Sequence, residues 1–254
     1  MQALAAQGSL RALLWDVDGT LAETELDGHR VAFNRAFDQL GLPWQWDRAT
    51  YIELLAISGG RERLRGFLQR QQGGEPKASL LEALHQAKQL HYRQLVVAGE
   101  VQLRAGVRRL IEAAAAAGLQ QAIVTTSGRE AVAALLENQL RELSQLLPLR
   151  ICAEDVAAKK PDPEAYRLAL QRLGLEPGEA VALEDSPAGL AAATSAGLRC
   201  LVTLSAATIK LPTTRFSAAS SLTDGLEPTR VLRGPACAGG QITLSYLEQL
   251  PAMP

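Results

Sequence analysis

Three short runs of oxygen-bearing residues and one lysine stand out in a chain of 254 residues. The runs are Asp16-Val17-Asp18-Gly19-Thr20, Thr125-Thr126-Ser127 and Glu184-Asp185-Ser186, and Lys159-Lys160-Pro161 falls between the last two. Gathered in one cleft, such carboxylates repel one another and stay ionised together only around a cation. Hard oxygen ligands favour magnesium, which keeps waters and so has positions open for phosphate oxygens. A lysine neutralises a further phosphate oxygen, and a hydroxyl with nearby N–H groups binds another. One aspartate can then attack phosphorus to form an aspartyl phosphate. A second carboxyl two residues on can protonate the leaving oxygen and later activate water. Taken singly, each run has a plainer reading: an Asp-x-Asp-Gly turn, a solvated Lys-Pro loop, or a helix N-cap after Glu184. Their order, each beside a predicted strand end, favours chemistry.

The elements that must bring them together follow from pattern. Residues 11–15, 121–125, 149–152, 180–184 and 200–204 form short apolar runs and predict strands. Residues 105–117, 129–140, 163–173 and 187–196 predict the helices between them, with Gly118 and Gly174 as stops. The alanine run 113–117 predicts a thin helix lying close on the sheet. Strand–helix alternation predicts an α/β fold: a parallel, Rossmann-like sheet with helices on both faces. Ligands of such sheets lie at the carboxyl ends of the strands, the rim on which the three runs and Lys160 converge. Residues 28–98 differ in texture and predict a helical insert. Residues 29–40 carry apolar side chains at helical spacing, residues 73–76 form a turn, and 79–97 predict a helix with Ser79 and Glu82 in capping-box order. Trp44 and Trp46 are expected to pack within this insert. His85 and His91 are expected at the surface. Residues 241–246 are strand-like, and no function is assigned to 205–254.

Asp16-Val17-Asp18-Gly19-Thr20, Thr125, Lys160-Pro161-Asp162-Pro163 and Glu184-Asp185-Ser186 resemble, in order, the four motifs of haloacid dehalogenase-like hydrolases. The resemblance spans residues 13–204. It implies a Rossmann-like core of residues 1–25 and 100–254 with a helical cap over residues 26–99. It also implies Asp16 as nucleophile and magnesium ligand, and Asp18 as general acid/base and backbone-carbonyl ligand. Thr125 and Lys160 would hold phosphate, and Glu184 and Asp185 would bind magnesium.

Residues 18–25, Asp27-Gly28-His29-Arg30, Phe33-Asn34, Trp44 to Asp47 and Gly59-Gly60-Arg61-Glu62-Arg63 are similar to the CbbY-type branch. That branch dephosphorylates xylulose 1,5-bisphosphate, an inhibitor of Rubisco, which implies a carbon-fixing source. A bisphosphate needs a second cationic site, and the planar fork of arginine suits it. Glu23, His29, Arg61, Arg63, Thr126 and Ser127 are therefore the expected substrate-binding residues. Arg61 and Arg63 could equally start a solvated helix beside Glu62, and His29 could face solvent. A mobile cap would hinge near residues 23–28 and 97–101.

A β-phosphoglucomutase-like mutase and a broad sugar-monophosphate phosphatase share this machinery. A non-catalytic sugar-phosphate-binding protein should have lost one of Asp16, Asp18, Thr125, Lys160 or Asp185. Neither G-x-G-x-x-G nor G-x-x-x-x-G-K-[ST] occurs, so dinucleotide and P-loop chemistry lack their fingerprints. A formal charge of -1 supplies no field for a polyanion, so nucleic acid is not an expected partner. Hydrophobic residues at 47% and charged residues at 21% predict a packed core. The three cysteines are scattered and predict free thiols. Residues 1–6 lack the pattern of a secretory signal, and Gln120 and Gln121 break the longest uncharged run. A monomeric cytoplasmic enzyme acting on a small sugar phosphate, with no membrane partner, is the expectation.

Overall fold

The computed structural model describes residues 9–251. Residues 1–6, read above for a secretory signal, lie outside the described residues. Seven strands form one sheet in the order β3-β2-β1-β4-β5-β6-β7. They are β1 (Ala12–Trp15), β2 (Gln120–Val124), β3 (Leu149–Ile151), β4 (Ala180–Glu184), β5 (Arg199–Thr203), β6 (Ser221–Thr223) and β7 (Val231–Arg233). All neighbours run parallel except β6 and β7. Strand order reverses at β1, which pairs with β2 on one side and β4 on the other. That reversal opens a crevice at the carboxyl ends of β1, β2 and β4.

The period-two alternation of the strands sorts their side chains onto two faces. Leu13, Trp15, Ile123, Val181 and Leu201 pack on one face against α5 (Val107–Ala116) and α6 (Arg129–Gln139). Ala12, Leu14, Ala122, Val124, Ala182 and Val202 pack on the other against α7 (Glu164–Leu173) and α8 (Pro187–Ser195). Both faces are thus covered, as a parallel sheet requires.

The insert between β1 and α5 contains α1 (Arg30–Gln39), α2 (Arg48–Leu54), α3 (Gly60–Gln72) and α4 (Ala78–Val97). It has its own core, in which Phe33, Phe37, Trp46, Tyr51 and Phe67 interlock. Trp44 and Trp46 both pack there, as expected. A π-helical turn, Glu25–His29, leads into α1. Such turns are rare and collect at functional sites.

Three expectations need correction. The capping box at Ser79 does not form, because α4 starts at Ala78 after an N-cap at Lys77, which leaves Ser79 inside the first turn. Residues 241–246 are not a strand. Thr243 Oγ1 instead accepts from the Tyr246 N–H and caps α9 (Leu244–Glu248), whose Leu247 is buried beside Ile242 in the core. Local capping overrides the β-propensity of a run that has no neighbouring strand to join. His85, expected at the surface, lines a cavity described below.

Candidate active site

The backbone forces the first two carboxylate runs together. Asp16 follows β1 directly, and its N–H donates to Leu183 O in β4 at 3.0 Å. Gly19 has φ of +85°, and a Cβ there would lie 2.2 Å from Asp185 Oδ2. Only glycine lets the turn after β1 close onto the end of β4. Asp185 follows β4, and Ser186 caps α8 by accepting from the Gly189 N–H at 3.0 Å. Oxygens of Asp16, Glu184 and Asp185 then lie within 4.8 Å of one another, all buried.

Lys160 enters this cluster through its Nζ. It donates to Asp16 Oδ1 at 2.6 Å, to Glu184 Oε1 at 2.6 Å and to Val124 O at 2.7 Å. Burial alone would depress its ammonium, but Asp16 and Glu184 outweigh burial and hold its pKa above the ordinary value. Burial drives Asp16 upward against the pull of Lys160, and burial followed by the charge of Asp16 drives Asp185 upward. Tyr166 donates to Glu184 Oε1 at 2.6 Å, whereas buried Glu184 Oε2 has no hydrogen-bond partner. An orphaned carboxylate oxygen beside two strained carboxylates fits a divalent cation, which would satisfy the oxygen and relieve the repulsion. The three residues could hold such an ion, and their hard oxygen donors suit magnesium. Thr125 is buried at the end of β2, and its Oγ1 accepts from the Ser127 N–H at 3.1 Å.

Asp18 turns to the other side of the turn. Its carboxylate accepts from Thr24 Oγ1 and Ser127 Oγ and lies 2.9 Å from His29 Nε2. Burial would raise its pKa, but His29 and these hydrogen bonds outweigh burial and hold it well below the usual carboxylate range. His29 is buried and stacks on Tyr92 with ring centroids 4.2 Å apart.

Two cavities meet at Asp18, Glu25, Gly59, Arg63 and Thr126. One, of about 410 Å³, reaches Asp16, Lys160 and Asp185. The other, of about 300 Å³, is lined by Arg61, Arg63, His85, Lys88 and Lys159 and also by Glu25, Glu62 and Glu154. Arg63 is buried and donates to Tyr51 Oη at 2.9 Å and to Leu54 O at 3.2 Å. Arg61 is half exposed and pairs with Glu82 at 3.2 Å. The structure therefore brings His29, Arg61, Arg63, Thr126 and Ser127 to these cavities. Glu23 is not among their lining residues; it pairs with Arg104 at 3.2 Å.

Lys88 was not singled out from sequence. Its Nζ lies 3.0 Å from His29 Nδ1 and about 5 Å from the ring centroids of Phe33 and Tyr92. The legible signal was its phase. Lys88 falls on the buried stripe of α4 with Leu81, Leu84, Tyr92 and Leu95, where a charge needs a reason.

The chain matches the haloacid dehalogenase-like hydrolase family over residues 10–197. It is 46% identical to protein CbbY of Cereibacter sphaeroides over 197 residues, 76% of this chain and 84% of that protein. Its fold is similar to the crystal structure of CbbY from Rhodobacter sphaeroides in complex with phosphate. The TM-score is 0.78 at 43% identity, over 85% of this chain and 94% of that one. A mutant of that protein, in complex with xylulose-(1,5)-bisphosphate, is similar at TM-score 0.78 and 42% identity over the same shares.

Proposed function

We propose, from the premise that the chain belongs to the haloacid dehalogenase-like hydrolases and to their CbbY-type branch, that it hydrolyses xylulose 1,5-bisphosphate to xylulose 5-phosphate and inorganic phosphate, and so removes an inhibitor of Rubisco. Its class, a hydrolase of phosphate esters, follows from that membership and from the carboxylate cluster. The observation that carries the substrate is the junction of the two cavities. The cavity around Asp16 and Lys160 shares five lining residues with a second one, whose lining holds Arg61, Arg63, Lys88 and Lys159 together with Glu25, Glu62 and Glu154. A sugar with a phosphate at each end suits that shape, one phosphate at the carboxylates and the other among the cations. The bisphosphate bound by the similar CbbY mutant supports the same reading.

In this reading a carboxylate oxygen of Asp16 attacks phosphorus as the bond from phosphorus to the sugar oxygen breaks. The resting Asp18 is a carboxylate, so it first takes up a proton from solvent as substrate binds; it then gives that proton to the leaving oxygen, and the sugar leaves. A water then attacks the aspartyl phosphate and yields its proton to Asp18, releasing inorganic phosphate and restoring Asp16. Lys160 and Thr125 hold the phosphate oxygens throughout. Magnesium, held by Asp16, Glu184, Asp185 and the Asp18 backbone carbonyl, would supply charge neutralisation. Residues 26–99 act as a cap over a core of 1–25 and 100–254.

Acid-quenched turnover with mass spectrometry of the Asp16 peptide tests the route. A phosphorylated Asp16 that forms within one turnover and decays to free phosphate supports it. Isomerised sugar without free phosphate would identify a mutase instead.

A further inference from the structure

The loop after β5 has no residue that the sequence pattern marks for chemistry, yet it touches the carboxylate cluster. Ser205 Oγ donates to Asp185 Oδ2 at 2.6 Å, and the Ser205 N–H donates to Thr208 Oγ1 at 2.9 Å. Arg104 ties this loop to the turn after β1. Its Nη1 donates to the carbonyls of Gly19 and Thr203, and its Nη2 donates to Leu204 O at 2.6 Å. Its Nε lies 3.2 Å from Glu23 Oε1, while Glu23 Oε2 accepts from the Ala206 N–H at 3.3 Å. One largely buried guanidinium thus grips three carbonyls and a carboxylate drawn from two segments, 19–23 and 203–204.

We infer that Arg104 is a positioning residue for the cluster of Asp16, Glu184 and Asp185, clamping the turn after β1 to the loop after β5 with Ser205 as the arm that reaches Asp185. The inference rests on the reading of that cluster as a divalent-cation site. The two segments close tightly on Asp185, since a Cβ on Gly19 would lie 2.2 Å from Asp185 Oδ2 and 3.0 Å from Ser205 Cβ. Their spacing is therefore set by whatever holds both backbones. A guanidinium presents five N–H groups in a rigid plane and can serve four acceptors around it. A lysine ammonium, with its donors on one atom, cannot span them. The clamp also sits where the insert joins the core, because Ala22 and Leu103 pair across the two linkers.

The test titrates the whole metal-free chain with Mn²⁺, followed by electron paramagnetic resonance. Arg104→Lys keeps the charge and removes the fork. It is expected to bind Mn²⁺ about tenfold more weakly or worse, the range found for partners that orient metal ligands. Circular dichroism should be unchanged, and kcat should fall while KM for the sugar phosphate stays within about twofold. Asp185→Asn is the reference. If it weakens Mn²⁺ binding and Arg104→Lys does not, the clamp alone is overturned. If Asp185→Asn binds Mn²⁺ as tightly as the unaltered chain, the cation-site reading falls, and the clamp with it. Should Arg104→Lys fail to fold, Ser205→Ala, which removes one hydroxyl and no charge, carries the test with the same expected loss.

Discussion

His29 Nε2 stands 2.9 Å from Asp18 Oδ1, and on the far side of the ring Nδ1 faces Lys88 Nζ at 3.0 Å. An ammonium can only donate, so with Lys88 protonated Nδ1 accepts and Nε2 carries the hydrogen that Asp18 receives. Asp18 is thereby aimed away from the triad of Asp16, Glu184 and Asp185 and held as a carboxylate. Asp18→Asn should lower kcat by about 10²- to 10⁴-fold, the usual worth of a general acid/base. Mn²⁺ binding should persist, because the side chain is not part of the triad. A variant with undiminished kcat would remove Asp18 from the chemistry.

Lys88 gives a pH signature. Burial, the largest influence, lowers its pKa to about 8 against the pull of Asp18 and Glu25, with Arg63 adding to the depression. Between about pH 8 and 10.5 the unfolded chain still holds a proton that the folded chain has lost, so this group makes stability rise with pH across that window. Below the window it costs on the order of a few kcal/mol. Lys88→Met should therefore be more stable than the unaltered chain at neutral pH, with the gap closing as pH rises to 10.5. Urea midpoints against pH measure this, and a gap independent of pH would contradict it. Substrate KM should rise above about pH 8 in the unaltered chain, where the cation is lost.

Arg61 and Arg63 should separate. Arg63 is buried on Tyr51, Leu54 O and Glu25, so Arg63→Ala leaves those groups unpaired and should cost about 2–4 kcal/mol in thermal or chemical unfolding. Arg61 is half exposed, and Arg61→Ala should change stability by no more than about 0.5 kcal/mol. Its effect should instead be a KM raised more for a bisphosphate than for a monophosphate. Equal losses on both substrates would deny Arg61 a role at the second phosphate.

Gly189 keeps Glu184 in place. A Cβ there would lie 1.8 Å from Glu184 Oε2, while the neighbourhood of Gly178 is open. Gly189→Ala should push the carboxylate off its contacts with Lys160 and Tyr166, costing about 1–3 kcal/mol and weakening Mn²⁺ binding. Gly178→Ala is the control and should do neither. Calorimetry and Mn²⁺ titration of the pair decide, and equal behaviour of the two would show that Glu184 has room to move.

The sheet core was legible because its strands are short apolar runs punctuated by glycine and proline, and because each carboxylate run follows a strand. The tail was less legible. β6 and β7 have three residues each, too few to show a period, and α9 owes its start to a single threonine cap. In the insert, the two tryptophans fell where aromatic packing suggested, and the burial of Arg63 on Tyr51 and Leu54 O has no sign in local spacing. The pairing of Glu23 with Arg104 was not legible either, since the two lie far apart along the chain and no local pattern links them. Lys88 and Ser205 act through contacts made across 59 and 20 residues respectively, and such pairing is written in the fold rather than in spacing.

Phosphate release from a panel of xylulose 1,5-bisphosphate, ribulose 1,5-bisphosphate, β-glucose 1-phosphate and glucose 6-phosphate, with magnesium present and Asp16→Asn as control, tests the central claim most directly. Strong selectivity for xylulose 1,5-bisphosphate, abolished in the variant, is the predicted result. Broad weak turnover, or equal rates on the monophosphates, would contradict the assignment of the cation-lined chamber to a second phosphate.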